Sequence, residues 1–160
     1  MEYSYCPDLP RKTEKHLRNV FAMAGGLLLS SSFFPNVKFP WLFQLLALFA
    51  FFGVVILQSY LNRTYCYRLT SDRMFEIEER IGTRRQVVCR LAKSEIEAIL
   101  PANAPEAKAV FKEQGRKHYR YLGTLFPKES YLLAATVAGE KLAITILADE
   151  CLRELLTPAK

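Results

Sequence analysis

Between Val20 and Tyr60 the chain carries one charged side chain, Lys38, and this near-absence of charge constrains the fold more than any other feature. The stretch Trp41 to Tyr60 reads WLFQLLALFAFFGVVILQSY, with Gln44 and Gln58 as its main polar interruptions. As a helix rising about 1.5 Å per residue it spans roughly 30 Å, the thickness of a bilayer's hydrocarbon core. A buried helix of a soluble protein normally keeps a polar stripe, and this segment has none. Trp41 and Tyr60 stand at its two ends, where amphipathic rings prefer the headgroup level, and are the candidate interface anchors.

A second apolar segment precedes it, VFAMAGGLLLSSSFF from Val20 to Phe34. Ser30, Ser31 and Ser32 can return their hydroxyls to carbonyls one turn back, so their cost in lipid is modest. Gly25 and Gly26 are small enough to admit a neighbouring helix. Pro35 ends the segment, and PNVKFP reads as a tight turn. The expectation is a two-helix transmembrane hairpin. A cleaved signal peptide is the rival, but the charged stretch before the apolar run is long and contains Asp8 and Glu14. Arg11, Lys12, Lys15 and Arg18 precede the first helix, Arg63, Arg68 and Arg73 follow the second, and the turn has only Lys38. The positive-inside rule then puts both termini in the cytoplasm of a multi-pass protein of the cell membrane. Residues 1–18 read as a cytoplasmic segment, 19–60 as the hairpin and 61–160 as a cytoplasmic domain.

After Asn62 the pattern changes to period two. Tyr65, Tyr67 and Leu69 share a face in TYCYRLT, Ser71-Asp72 is a turn, and Phe75 and Ile77 alternate with glutamates in RMFEIEER. Gly82 marks a second turn, where it can take positive φ. Val87, Cys89 and Leu91 alternate in RRQVVCRL. KSEIEAIL reads as a short strand or a helical turn. PANAP is a loop, and Glu106 to Gln114 a short helix ending at Gly115. Strands resume at His118–Leu122, Tyr131–Val137 and Lys141–Leu147, the last two joined by a tight hairpin. Asp149 caps a helix, ECLRELL, that stops at Thr157-Pro158. The fold class is mainly β with α: seven short antiparallel strands in a barrel or sandwich capped by a C-terminal helix.

These residues carry a resemblance. Two membrane helices followed by YRLTSDRMFEIEERIGTRRQVVCRLAKSEIEAI, with FPKESYLL later and a final strand–Asp-Glu-helix, resemble the bacterial pleckstrin-homology-like (PH-like) domain proteins. The resemblance covers roughly Tyr60 to Leu156; the Glu106–Gly115 stretch departs from it. It implies seven strands capped by a helix and a binding role without enzyme activity.

The residues agree on chemistry. No phosphate-cradling loop, GxSxG or HExxH occurs, so no catalytic, cofactor or metal site is expected. Cys6, Cys66, Cys89 and Cys151 are scattered and read as free thiols in a reducing compartment, with Cys6 the exposed one and open to palmitoylation. The net charge of +6 is largely explained by topology, so nucleic acid is not an expected partner. The Gly82 turn is ringed by Arg80, Arg84 and Arg85, which become candidate contacts for anionic lipid headgroups. Arg116 to Tyr121 forms a second basic and aromatic patch, fit for a protein partner or RNA or explained by core tyrosines. The reading is a non-enzymatic membrane protein binding the bilayer, a protein partner or anionic lipid. Its alternative is a subunit or regulator of a membrane enzyme or transporter complex.

Overall fold

Helix α1 spans Lys12–Ser31 and α2 spans Pro40–Asn62 in a computed structural model that describes residues 2–9, 11–35 and 38–157. Asn36 and Val37 of the expected turn, and Pro158 of the expected helix stop, lie outside the described residues. The two helices belong to one compact unit, Leu9–Asn62. Pro40 opens α2 where its missing N–H costs nothing. A Cβ on Gly25 would lie 3.2 Å from the ring of Phe51 and 3.3 Å from Ala50, so the helices approach closely there as the small residue predicts. Gly26 faces open space instead, and the matching close approach is Gly53 against Phe21. Ser30 and Ser31 donate to the carbonyls of Gly26 and Leu27 at 2.8 and 2.7 Å. Gln58 accepts from Arg18 of α1 at 2.9 Å.

One expectation is corrected here. Among the described residues only α2 is long and apolar enough to cross a membrane by length and composition. The first helix begins eight residues earlier than its apolar segment and takes Lys12, Glu14, Lys15, His16 and Arg18 into its first two turns. Those side chains favour helix locally, and they leave α1 an apolar part of only Val20 to Ser31.

The other unit joins the described residues up to Asp8 with those from Arg63 onward. It contains eight strands: β1 Tyr3–Tyr5, β2 Arg63–Leu69, β3 Met74–Ile81, β4 Arg84–Ala92, β5 Ile96–Pro101, β6 Lys117–Tyr121, β7 Tyr131–Val137 and β8 Glu140–Ile146. They form two four-stranded sheets, β1-β2-β3-β4 and β5-β7-β8-β6. Helix α3, Pro105–Lys112, and helix α4, Glu150–Leu156, complete it. The described residues are therefore mixed α/β, with four α-helices. KSEIEAIL divides into both of its readings, a 3-10 turn at Lys93–Glu95 and then β5.

Two details differ from seven antiparallel strands. Strand β1, at the N-terminus, pairs with β2 across the helical unit. Strand β6 runs parallel to β8 because a long loop, Leu122 to Ser130, carries the chain past it to β7.

Alternation explains the core. Tyr67, Phe75, Ile77 and Leu91 of the first sheet are fully buried, as are Leu133, Ile144 and Ile146 of the second. Leu132, next to Leu133, is also fully buried, because α3 covers the other face of the second sheet through Ala107. A strand covered on both faces reads as a continuous apolar run, which is why YLLAA lacks alternation. Leu152 and Leu156 of α4 are buried, and Asp149 caps that helix by accepting from the Leu152 N–H at 2.9 Å.

The β7–β8 turn places Ala138 at φ +50° and Gly139 at φ +83°. Two positive-φ residues suit an Asn-Gly turn, and alanine is strained in that conformation. Ala138→Asn is expected to stabilise the unit by about 0.5–1 kcal/mol. A urea midpoint unchanged or lowered by the substitution would count against strain at this turn.

Candidate functional site

The candidate lipid contacts come from the β3–β4 hairpin, whose two-residue turn has Gly82 at φ +59°. Arg80 lies directly opposite Arg85, and Arg84 opposite Ile81. Side chains alternate across a sheet, so Arg80 and Arg85 share one face while Arg84 points to the other. Two of the three are thus brought together. Like charges opposed in this way cost a few tenths to about 1 kcal/mol. Glu78 offsets Arg80 at 2.6 Å, and Arg85 has no ion-pair partner among the described residues. The turn lies at the end of the sheet where β2 begins, since Arg63 pairs with Ile81 and Thr64 with Arg80. Of the expected anchors, Trp41 is 62% exposed in the first turn of α2 and Tyr60 half-buried in its last.

A second site lies between the sheets and was not read from the sequence as a groove. Strand β4 ends one sheet and β6 the other, and neither pairs on its outer side among the described residues. Between these edges is a groove of about 490 Å³, lined by Val88, Cys89, Arg90 and Leu91 of β4, Tyr119 and Tyr121 of β6, and Glu140 and Ile144 of β8. A bulge in β4 opposite Ile77 and Glu78 sets the register here. Tyr119 remains 42% exposed and stacks on Tyr121, ring centres 6.2 Å apart. Tyr121 in turn leans on Tyr65 at 5.5 Å. Burial pushes the Tyr121 phenol up to about 12 and the Cys89 thiol up to about 11, so both stay neutral at physiological pH.

The two edge strands are basic, while the charged residues lining the groove itself are Arg90 and Glu140. β4 carries Arg84, Arg85 and Arg90, β6 carries Lys117, His118 and Arg120, and neither strand has a carboxylate. Arg90 is paired with Glu76 and Lys117 with Glu140, each at 2.7 Å. Arg84, Arg85 and Arg120 have no carboxylate partner among the described residues. His118 and Arg120 face away from the groove, and His118 stacks on Phe111, ring centres 5.1 Å apart.

Arg116 leaves the basic patch that the sequence suggested. Its side chain is 4% exposed and donates to the Leu142 carbonyl at 2.9 Å and to Glu113 at 2.8 Å, with Glu97 at 3.4 Å. A cation in the stretch GRKHYRY looks like surface in sequence; its burial depends on carboxylates from α3's end and from β5. Lys141 also donates to Glu113, and these bonds, Lys141's first and then Arg116's, hold the Glu113 carboxyl below its ordinary value of 4.5. A depressed carboxylate stabilises the fold above 4.5 and loses that contribution as pH falls through its folded value. The protection factors of the amides in residues 113–117, exchange measured against the intrinsic rate at each pH, are therefore expected to fall as the medium is acidified below 4.5. Glu113→Gln should flatten that dependence, and an equally acid-sensitive segment in the variant would exclude Glu113 as its source.

The cysteine expectation is corrected. Cys6 and Cys66 form a disulfide, with Cα atoms 4.3 Å apart. The β1–β2 register sets it: Tyr5 pairs with Tyr67, which brings the next residues on each strand face to face. Cys6 is thus no free thiol; the exposed free one is Cys151. The signal available in sequence was the alternation Tyr3-x-Tyr5, which matches Tyr65-x-Tyr67. No group of three or more metal-ligating side chains occurs among the described residues. Compared with known protein families, curated proteins and solved structures, the chain matches none.

Proposed function

We propose that this chain is a non-enzymatic, multi-pass protein of the cell membrane that holds a PH-like unit at the cytoplasmic face and offers its β4–β6 groove to an extended, acidic segment of a partner protein. One observation carries the membrane part: β1, before the helices, pairs with β2, after them. A chain crossing the bilayer once between Tyr5 and Arg63 would leave these strands on opposite sides, unable to pair. If α2 spans, α1 must bring the chain back. Its apolar part, Val20 to Ser31, covers only about 18 Å as helix. Local thinning and snorkelling of Arg18 and Lys15 make up the difference. The basic flanks favour the cytoplasmic side for both ends.

Charge favours the partner's chemistry. An edge strand binds an added strand through its main chain, and pockets for alternate side chains select the sequence. Here the two free edge strands carry basic residues and no carboxylate, Arg84 and Arg85 of β4 lack ion-pair partners among the described residues, and the groove itself is lined by tyrosines and apolar side chains with Arg90 and Glu140. Lysine and arginine also guard edges against aggregation, so the groove needs a direct test. A photo-crosslinking residue at Tyr119, in intact membranes, is expected to give a discrete, salt-sensitive adduct that maps to a carboxylate-rich segment. Adducts on a helix or a basic segment, or none above the yield from exposed Phe126, would refute the groove. An adduct on an integral membrane enzyme or transporter would make the chain a subunit or regulator of that complex.

A second reading rests on the opposed Arg80 and Arg85. An anionic headgroup would relieve their repulsion, and each arginine near an acidic leaflet gains about 1 kcal/mol. With Arg80, Arg84 and Arg85 changed to Gln, the hairpin of the reconstituted protein should lose its protection by acidic vesicles. Unchanged protection removes this reading.

A further inference from the structure

We infer that the Cys6–Cys66 pair is a reversible redox latch that fastens β1 to the edge of β2. The inference rests on the cytoplasmic orientation proposed above. In a compartment buffered by thiols a disulfide is transient, and redox sensing is its usual role. In that orientation the pair lies in such a compartment, and the sheet register places the two sulfurs in bonding position.

The surroundings suit a latch. Cys6 is exposed, while Cys66 is 3% exposed. Exchange therefore begins at Cys6. A thiolate of a dithiol reductant attacks the Cys6 Sγ, and Cys66 leaves as a thiolate that takes up a proton. The reductant's second thiol then attacks the mixed disulfide, frees Cys6 and departs as a disulfide. Two electrons and two protons pass to the protein. In the reverse direction glutathione disulfide accepts the two electrons: the Cys6 thiolate attacks it, Cys66 attacks the resulting mixed disulfide, and two glutathione thiols are released.

Once open, little holds β1. It is three residues long, with one exposed ion pair, Arg68 to Glu2. The Tyr3 hydroxyl donates to Asp149, the cap of α4, and Tyr5 stacks on Tyr67 at 6.2 Å. Reduction should release this strand, uncover the β2 edge and return the Asp149 carboxylate to α4 alone. The bond also ties together the chain three residues before the helical unit and four residues after it.

The test uses the full chain with Cys89→Ala, in intact cells. Thiols are trapped by acid and counted by a polymer-linked maleimide, and Cys151 reports sidedness to a membrane-impermeant maleimide. The expected result is Cys151 protected until permeabilisation, Cys6 and Cys66 more than tenfold in favour of thiols during growth, a disulfide within minutes of a diamide pulse, and recovery on its removal. Cys151 protected with the pair permanently thiol or permanently oxidised overturns the latch and leaves the orientation standing. Cys151 labelled in intact cells with the pair always oxidised overturns the orientation, and the latch with it. In purified protein, a reducing glutathione buffer should raise amide exchange at residues 3–5 at least tenfold and leave β7 and β8 unchanged. Equal exchange in both states would also overturn the latch.

Discussion

Replacing Tyr67 with phenylalanine is expected to lower the unfolding free energy of the sheet unit by about 2 kcal/mol, and with alanine by about 4 kcal/mol. The hydroxyl joins three elements. It donates to the carbonyl of Tyr121, at the end of β6, at 2.5 Å, and accepts from the N–H of Leu147, just after β8, at 3.1 Å. The side chain is fully buried, so water cannot replace either bond. Burial also holds the phenol well above its ordinary range, which keeps the proton it donates. Phenylalanine retains the ring but leaves a buried donor and a buried acceptor unmatched. Alanine also removes the ring, which stacks on Phe75 at 6.5 Å and on Tyr5 at 6.2 Å, and leaves a cavity. Urea unfolding in detergent, followed by circular dichroism, should show both midpoints falling without a change in slope. A phenylalanine variant as stable as the parent would mean the hydroxyl contributes nothing between the sheets.

Local patterns were legible where partners are close in sequence. The meander β2–β3–β4 alternates apart from the β4 bulge and the buried Cys66, its turns sit at Ser71-Asp72 and Gly82, and the β7–β8 hairpin and the Asp149-capped α4 are equally plain. What stayed hidden depends on distant partners. Strand β1 is three residues long, and its partner lies across the whole helical unit, so nothing local distinguishes YSY from an irregular tail. The disulfide follows from that pairing and was hidden with it. The orientation of β6 is set by β7 filling the place beside β8, which period-two alternation in KHYRY cannot report. Its two faces were readable, with Tyr119 and Tyr121 opposite His118 and Arg120. The groove they line was not, because it exists only where two sheets end without pairing. The basic turn was readable as composition, but the separation of Arg84 from Arg80 and Arg85 came from register.

Phe52→Arg is expected to weaken membrane insertion of α2 by about 3 kcal/mol, roughly a hundredfold. Phe52 is 62% exposed near the middle of the helix and belongs to an apolar surface with Leu48, Phe49, Phe51 and Val55. In water that surface would be a standing cost; in lipid it is the favourable side, and a guanidinium there must snorkel or drag water inward. Because β1 and β2 pair across the helical unit, failure of α2 cannot leave α1 inserted alone without breaking the sheet. Loss of insertion should therefore release the whole polypeptide, giving an alkali-extractable protein whose sheets remain folded. Lys38→Gln, in the connection between the helices, is the matching control and should leave extraction unchanged. A parent protein already released by alkali would show that α2 lies against other protein, since only a helix embedded in hydrocarbon makes Phe52 intolerant of charge while Lys38 is free to lose it.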